Sequence, residues 1–449
     1  MTSSTDRTRN HLGPSAGPDH AHDDRGESMS IDIRHYQDRE ASPATPSADE
    51  TTHGVVRPGT DLPELPRRRR GSRRSKVLLV HSSDEMYGSD RIVVEVVGEL
   101  AARDDLDVTV WLPSDVAVGP LGPRLRELGA RVERTPLPIL RRTRLGPLGL
   151  VRLARDAVRT AFRLSGRHFD LVYCATSACL VVAPVARAMG VRRIVGHLQE
   201  PWSDGDRRGL RPLARACTSL VAVSRSVLDS SGLSDDPRAV VVHNGVSDRS
   251  VDAIERVADR APQYVVASRW NGHKGHATLL TAWNAAGCPG QLVVLGGPPA
   301  VGSAVDVPAL VAAIVSRPET VTVVGEVADA SPYLRDADAV ILPTDTLEGF
   351  GLVTLEAFSQ GRPVIASRSG GPEEVVDEGR TGWLFDRRDV DGLSAILSSL
   401  DVETLAEAGR HAREAYVQRF TPERMRRRIG AVVTRELHTA DVGTLAVAS

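Results

Sequence analysis

Short runs of Val, Ile and Leu recur along this chain, and their spacing limits what it can fold into. KVLLVH (76–81), DVTVWL (107–112), DLVYCA (170–175), RRIVGHL (192–198), SLVAVS (219–224) and AVVVHNG (239–245) form one series. QYVVAS (263–268), QLVVLGG (291–297), TVTVVG (320–325), DAVILP (338–343), RPVIAS (362–367) and GWLF (382–385) form a second. Runs this short and this apolar are the signature of parallel strands buried on both faces. Segments at helical spacing lie between them, as at 91–103, around 120–129 and at 177–190. Strand, loop and helix in alternation predict a doubly wound α/β fold. HNGV (243–246) interrupts the alternation, so two such domains in tandem are expected.

The predicted fold class is therefore α/β, with two Rossmann-like doubly wound parallel-sheet domains facing across a cleft. The expected boundaries are a tail at 1–75, an N-terminal domain at 76–245, a C-terminal domain at 246–420, and a final helix with its tail at 421–449. That helix should start at Thr421-Pro422, a capping residue followed by proline at the first helical position, and run to about 438, packing back on the N-terminal domain. In open parallel sheets, ligands bind beyond the carboxyl ends of the strands. The cleft is thus the expected site before any motif is read.

Residues 1–75 are rich in Ser, Thr, Asp, Pro and His and lack apolar runs, a composition that predicts disorder. His11, His20, His22, His35 and His53 there match no metal-ligand spacing and read as solvated side chains. The net charge of −2 gives no field that points to nucleic acid. The four cysteines, Cys174, Cys179, Cys217 and Cys288, form no C-x-x-C pair, which argues against structural zinc and a disulfide framework. No apolar run reaches the ~18–20 residues a membrane span requires, and the N-terminus lacks a signal-peptide core. A cytoplasmic protein is expected. Two arginine-dense stretches, RRRRGSRR (67–74) and 124–144, read either as solvated surface or as weak peripheral contact with anionic lipid at the inner membrane face.

EGFGLVTLE (348–356) carries the strongest chemical signal. It follows the strand 338–343 and opens a helix. Its glycines permit a tight turn and close approach to a ligand, and the helix N-terminus offers N–H groups and a positive dipole. Glu348 and Glu356 can each accept paired hydroxyl hydrogen bonds. SRWNGHKG (268–275) places Arg269 and Lys274 in the loop after the strand 263–268. Two surface cations are the plain reading of that pair. However, Lys274 is one of only two lysines in the chain, the other being Lys76, and this favours a placed cation. Together the two could neutralise a departing diphosphate.

This combination resembles the retaining nucleotide-sugar glycosyltransferases of glycosyltransferase family 4, which have the GT-B fold. The resemblance is strongest from about 264 to 386 and runs more weakly back to Lys76. It implies that Arg269 and Lys274 bind the donor diphosphate, that Glu356 holds the ribose hydroxyls, and that Glu348 faces the transferred sugar with the backbone of Phe350, Gly351 and Leu352. It further implies that SRSGGPEEVV (367–376), with Gly370 and Gly371, lies under the donor, and that Gly325, Glu326 and Val327 contact the base. YGSDR (87–91) is similar to the family's glycine loop over the donor phosphates, with Gly88 kept and Ser89 in place of a second glycine. GHLQEPW (196–202) stands where the family has a cleft histidine, making His197 the first candidate and Glu200 the second; a satisfied core histidine is the alternative.

The implied reaction is metal-independent transfer with retention from a nucleotide-diphosphate sugar to a hydroxyl acceptor, with no cofactor beyond the donor. A catalytically silent nucleotide-sugar-binding protein and a GT-B sugar-nucleotide epimerase are the alternatives. Such epimerases lack the paired glutamates with the Arg/Lys set. A dinucleotide oxidoreductase is excluded because the loop after 76–81 has one glycine rather than G-x-G-x-x-G.

Overall fold

The computed structural model describes residues 73–141, 146–250, 260–299 and 304–438. The expectations for the tail, including its histidines and most of RRRRGSRR, fall outside the described residues, as do 439–449.

Seven parallel strands form the first sheet: β1 (Ser75–Val80), β2 (Leu106–Pro113), β3 (Arg131–Thr135), β4 (Leu171–Cys174), β5 (Ile194–Leu198), β6 (Ser219–Ala222) and β7 (Ala239–Val241). Their spatial order is β3-β2-β1-β4-β5-β6-β7. Six more form the second sheet: β8 (Gln263–Ala267), β9 (Gln291–Leu295), β10 (Val321–Gly325), β11 (Ala339–Leu342), β12 (Val364–Ser367) and β13 (Gly382–Phe385). Their order is β10-β9-β8-β11-β12-β13, and every pairing is parallel. Both sheets are doubly wound, and the strand order reverses between β1 and β4 in the first and between β8 and β11 in the second. Those reversals leave crevices at the carboxyl strand ends. The loops after β1, β8 and β11 carry Y-G-S-D-R, S-R-W-N-G-H-K-G and E-G-F-G. Topology alone therefore brings the motifs to the two switch points.

The central strands are sealed by helices on both faces. Val77, Leu79, Val110, Tyr173, Val195 and Val221 lie beneath the helix Gly88–Ala101 and the final helix Pro422–His438. Met425, Ile429, Val432 and Val433 of that last helix belong to the same apolar layer, although the helix follows the C-terminal domain in sequence. The chain crosses between domains twice, and the two crossings touch. The Val246 N–H donates to the Phe420 carbonyl at 3.2 Å, and the Tyr416 hydroxyl donates to the Val246 carbonyl at 2.8 Å. Beside them Arg413 hydrogen-bonds Asp248 at 2.6 Å and holds that carboxyl down at about 2.

Two elements depart from the sequence reading. The stretch RVERT forms β3, an edge strand with mostly half-exposed residues, so no continuous apolar run announces it. The helix Pro147–Ser165, 19 residues long, has only Thr160 and Leu164 fully buried. The arginine-dense stretch 124–144 is also not one uniform patch. Arg134 turns inward onto the buried Asp84 and the Val116 and Ala117 carbonyls, and Arg124 pairs with Glu127 at 2.8 Å. Among the described residues, no helix is long and apolar enough to cross a membrane.

Candidate active site

The loop after β8 ends in one 3-10 turn, Gly272–Lys274, before the helix His276–Ala285. This turn sends the Lys274 ammonium across to the loop after β11, where it meets Glu348 Oε2 at 2.5 Å. Both side chains are about four-fifths buried, so the pair is partly shielded from water. His273, next in the chain, is held below the usual imidazole range first by burial, then by Lys274, with Glu348 opposing and Arg269 adding. One imidazole thus senses three of the four charged candidates.

Glu348 is fixed through its backbone. Its N–H donates to the Ser369 carbonyl at 2.7 Å, and its carbonyl accepts from Gly371 N–H at 3.1 Å. A parallel bridge joins it to Gly370. The two glycine segments expected around the donor are therefore laid side by side. Gly351 then opens the helix Leu352–Ser359 at φ +75°, a conformation that suits glycine. Phe350 takes no part through its ring, which packs into an aromatic group with His243 and Phe420 at centroid separations of 5.4 and 6.4 Å. Only its backbone remains for a ligand.

The N-terminal domain meets this surface closely. A Cβ on Gly349 would lie 2.5 Å from the Gln199 carbonyl, in the loop after β5, and the Ser224 hydroxyl donates to the Gly349 carbonyl at 2.7 Å. Gly88 approaches Leu352 of the opposite domain, where a Cβ would come within 3.2 Å of the leucine side chain. Gly88 and Ser89 form the first turn of the helix Gly88–Ala101, whose N–H groups have no partner within the helix. The Arg269 guanidinium stacks on the Tyr87 ring at 5.0 Å, a cation–π contact across the domains. One turn on, Arg91 pairs with Glu356. Burial raises the Glu356 carboxyl above its ordinary value despite Arg91, with Arg249 and Asp329 also acting on it. Arg269 and Glu356, widely separated in sequence, thus both meet one short stretch, residues 87–91.

The glycine loop has a support that motif reading missed. Asp90 is buried and accepts from the Tyr87 N–H at 3.0 Å and from the Ser83 hydroxyl at 2.6 Å, and its Oδ1 lies 2.9 Å from His81 Nε2. Burial would raise the carboxyl, but the interactions with His81, Ser83 and Tyr87 together lower it. A charge in D-R after a glycine loop was visible. Its partner His81, at the end of β1, read only as part of a strand.

His197 does not lie open to the cleft. It is 1 % exposed on β5, beneath the same apolar layer as Val195 and Val221, with Nδ1 2.9 Å from the Tyr173 hydroxyl. Burial pushes its pKa down to about 3, so it is neutral at physiological pH. The strand alternation turns this side chain inward, and its Nε2 has no hydrogen-bond partner among the described residues. Glu200 is exposed in the loop beyond. Gly325, Glu326 and Val327 close β10 at the far edge of the second sheet, with Glu326 beside Gly297. Among the described residues, no three His, Cys, Asp or Glu side chains form a metal-binding group.

Comparison with known proteins agrees with this geometry. Residues 261–400 match the family described as Glycosyl transferases group 1. The chain is 29% identical over 350 residues to the GDP-mannose-dependent alpha-(1-6)-phosphatidylinositol monomannoside mannosyltransferase of Mycolicibacterium smegmatis, covering 70% of this chain and 87% of that protein. A shorter match, 37% over 106 residues, is to the alpha-1,3/1,6-mannosyltransferase alg-2 of Neurospora crassa; it covers 23% of this chain and only 22% of that protein. The Anabaena HepE structure in complex with UDP superposes with a TM-score of 0.66 at 22% identity, covering 80% of this chain and 99% of that one. Sucrose-phosphate synthase from Thermosynechococcus elongatus gives 0.65 at 20% identity, covering 81% and 99%. Two facing doubly wound domains with charged loops at both switch points define the GT-B class of nucleotide-sugar glycosyltransferases. Within that class the chain is similar to the enzymes of glycosyltransferase family 4.

Proposed function

We propose that this chain moves a sugar from a nucleotide-diphosphate sugar to a hydroxyl acceptor, with retention at the anomeric carbon and without a metal ion, in glycan, glycolipid or exopolysaccharide synthesis. The observations that carry this reading are the Lys274–Glu348 pair and the Arg269 guanidinium, which act together on His273, with Arg269 lying over Tyr87 at the start of the helix Gly88–Ala101. In this reading the donor diphosphate lies between the two cations and the helix N-terminus. Ribose hydroxyls replace Arg91 on Glu356, and Glu348 holds the sugar. Gly370 and Gly371 lie beneath it, and Gly325 to Val327 border the base. Glu200 stands on the acceptor side, while His197 supports the strand end through Tyr173.

As the bond from the anomeric carbon to the diphosphate oxygen breaks, negative charge grows on the leaving group. Arg269 and Lys274 stabilise that charge, as a metal ion otherwise would. The acceptor oxygen attacks the same face, and its proton passes to the leaving diphosphate. Domain closure excludes water and fixes the geometry. Lys274→Ala should lower kcat by about two orders of magnitude or more, the scale of a lost electrostatic transition-state contact; near-normal turnover refutes the role. EDTA should leave the rate unchanged, and magnesium-reversible inhibition would overturn the metal-free reading.

The mycobacterial relative is named for GDP-mannose, and HepE was solved with UDP. Both bases therefore belong in a thermal-shift series with dTDP-sugars, where the preferred donor raises the melting temperature most. Binding without transfer or hydrolysis would instead favour a silent nucleotide-sugar-binding protein.

A further inference from the structure

The helix Pro147–Ser165 carries a second apolar stripe on the side away from the domain. Leu148, Val151, Val158 and Phe162 are 79, 67, 55 and 75% exposed. At 3.6 residues per turn these four fall within an arc of about 80°, and Leu150 is also exposed. The side facing the domain holds the buried Thr160 and Leu164 with the half-buried Leu153, Ala157 and Ala161. A surface helix in water normally buries its apolar stripe and presents the polar one.

Arg155 falls just inside the margin of this arc, and Arg159, Arg152 and Arg163 line one side of it. Arg152, Arg155, Arg159 and Arg163 lie on the same helix, and Arg167 follows it. Asp156 is the only acid of the helix, pairing with Arg155 at 3.2 Å and Arg159 at 3.5 Å. Glu133 of β3 takes Arg163 and Arg167, whose guanidiniums also lie over the Trp111 ring. Five arginines against two acids leave this face at +3. A second copy meeting it across a twofold axis would bring like charge against like charge. An anionic sheet of headgroups with hydrocarbon beneath complements both the arginines and the stripe.

We propose that the helix Pro147–Ser165 docks flat on an anionic lipid surface, with its arginines among the headgroups and Leu148, Val151, Val158 and Phe162 in the acyl boundary. The helix leaves from the carboxyl-end side of β3, the same edge of the sheet that carries Gly88. Docking would therefore hold the acceptor face of the cleft near the bilayer and suit a lipid-linked hydroxyl acceptor. That purpose rests on the transferase reading, whereas the docking itself does not.

The test is co-sedimentation of the full chain with phosphatidylglycerol-containing and with pure phosphatidylcholine vesicles. Wild type should sediment with the first and far less with the second. The variant L148Q/V151Q/V158Q/F162Q should lose about tenfold or more in partitioning, with an unchanged melting temperature because the side chains are exposed. R152Q/R155Q/R159Q should abolish the preference for anionic vesicles. Equal sedimentation of wild type and the four-glutamine variant overturns the proposal, as does wild-type indifference to anionic lipid. A dimer in vesicle-free solution that the same variant dissolves assigns the stripe to a second copy and also overturns it. Donor-induced thermal shift, measured in parallel, separates the two readings: its absence in wild type defeats the transferase assignment and leaves the docking result standing.

Discussion

The two domains bring different kinds of group to the same place. The C-terminal domain offers charged side chains: Arg269, Lys274 and Glu348 from loops and turns, and Glu356 from the helix Leu352–Ser359. The N-terminal domain offers a helix start at Gly88 and Ser89, held from below by the buried His81 and Asp90 and the half-buried Ser83. One side should govern the charge that develops during reaction, the other the shape into which the diphosphate fits. A difference of this kind separates kcat from KM.

Beyond the loss set out for Lys274→Ala, the largest effect should come where the domains touch. Gly349→Ala drives a methyl group into the Gln199 carbonyl and should cost about 2–3 kcal/mol of stability, or an equivalent loss of domain contact. A variant with wild-type melting and kinetics would show that the approach is not needed. Asp90→Asn comes next. It keeps the shape but weakens the hold on Tyr87, and should raise donor KM by about tenfold while changing kcat less. A fall in kcat alone would erase the contrast between the domains.

Near neutral pH the smallest effect is in stability against pH, where it only begins to show. His197 and His276 fold with pKa values of about 3 and about 4, against an ordinary 6.5. The unfolded chain therefore binds more protons below pH 6.5, so stability is full above that value and declines as pH falls towards 4. Each histidine contributes at most about 1.4 kcal/mol per pH unit to that slope. His197→Gln should flatten it by up to one proton in chemical denaturation between pH 4 and 6.5. An unchanged slope would show that the imidazole is not sealed as described.

The same contrast explains what could be read from the sequence. Strands buried on both faces had to be apolar throughout, so β1, β4 and β11 stood out as runs. The edge strand β3 has one wet side, and RVERT carries the composition of a loop. The helix Pro147–Ser165 escaped because it carries apolar residues on both sides, Leu153 and Leu164 inward and Val151 and Phe162 outward, so no single stripe marked its core contact. Lys274 was legible because lysine is nearly absent elsewhere, and Glu348 and Glu356 because glycines frame them. Arg91 was not singled out, since its partner Glu356 lies 265 positions away and only the fold brings them together. His197 was ambiguous because a histidine at a strand end reads alike whether its side chain faces the ligand or the core.

Two strands of chain link the halves of this molecule, and they run in contact through Val246 and Phe420. Neighbouring connections of this kind act as a single pivot: the halves can swing towards each other, but sliding or twisting would tear the shared hydrogen bonds. Opening and closing then becomes one coordinate, and residues such as Tyr416 and Arg413, remote from the sugar, set its stiffness.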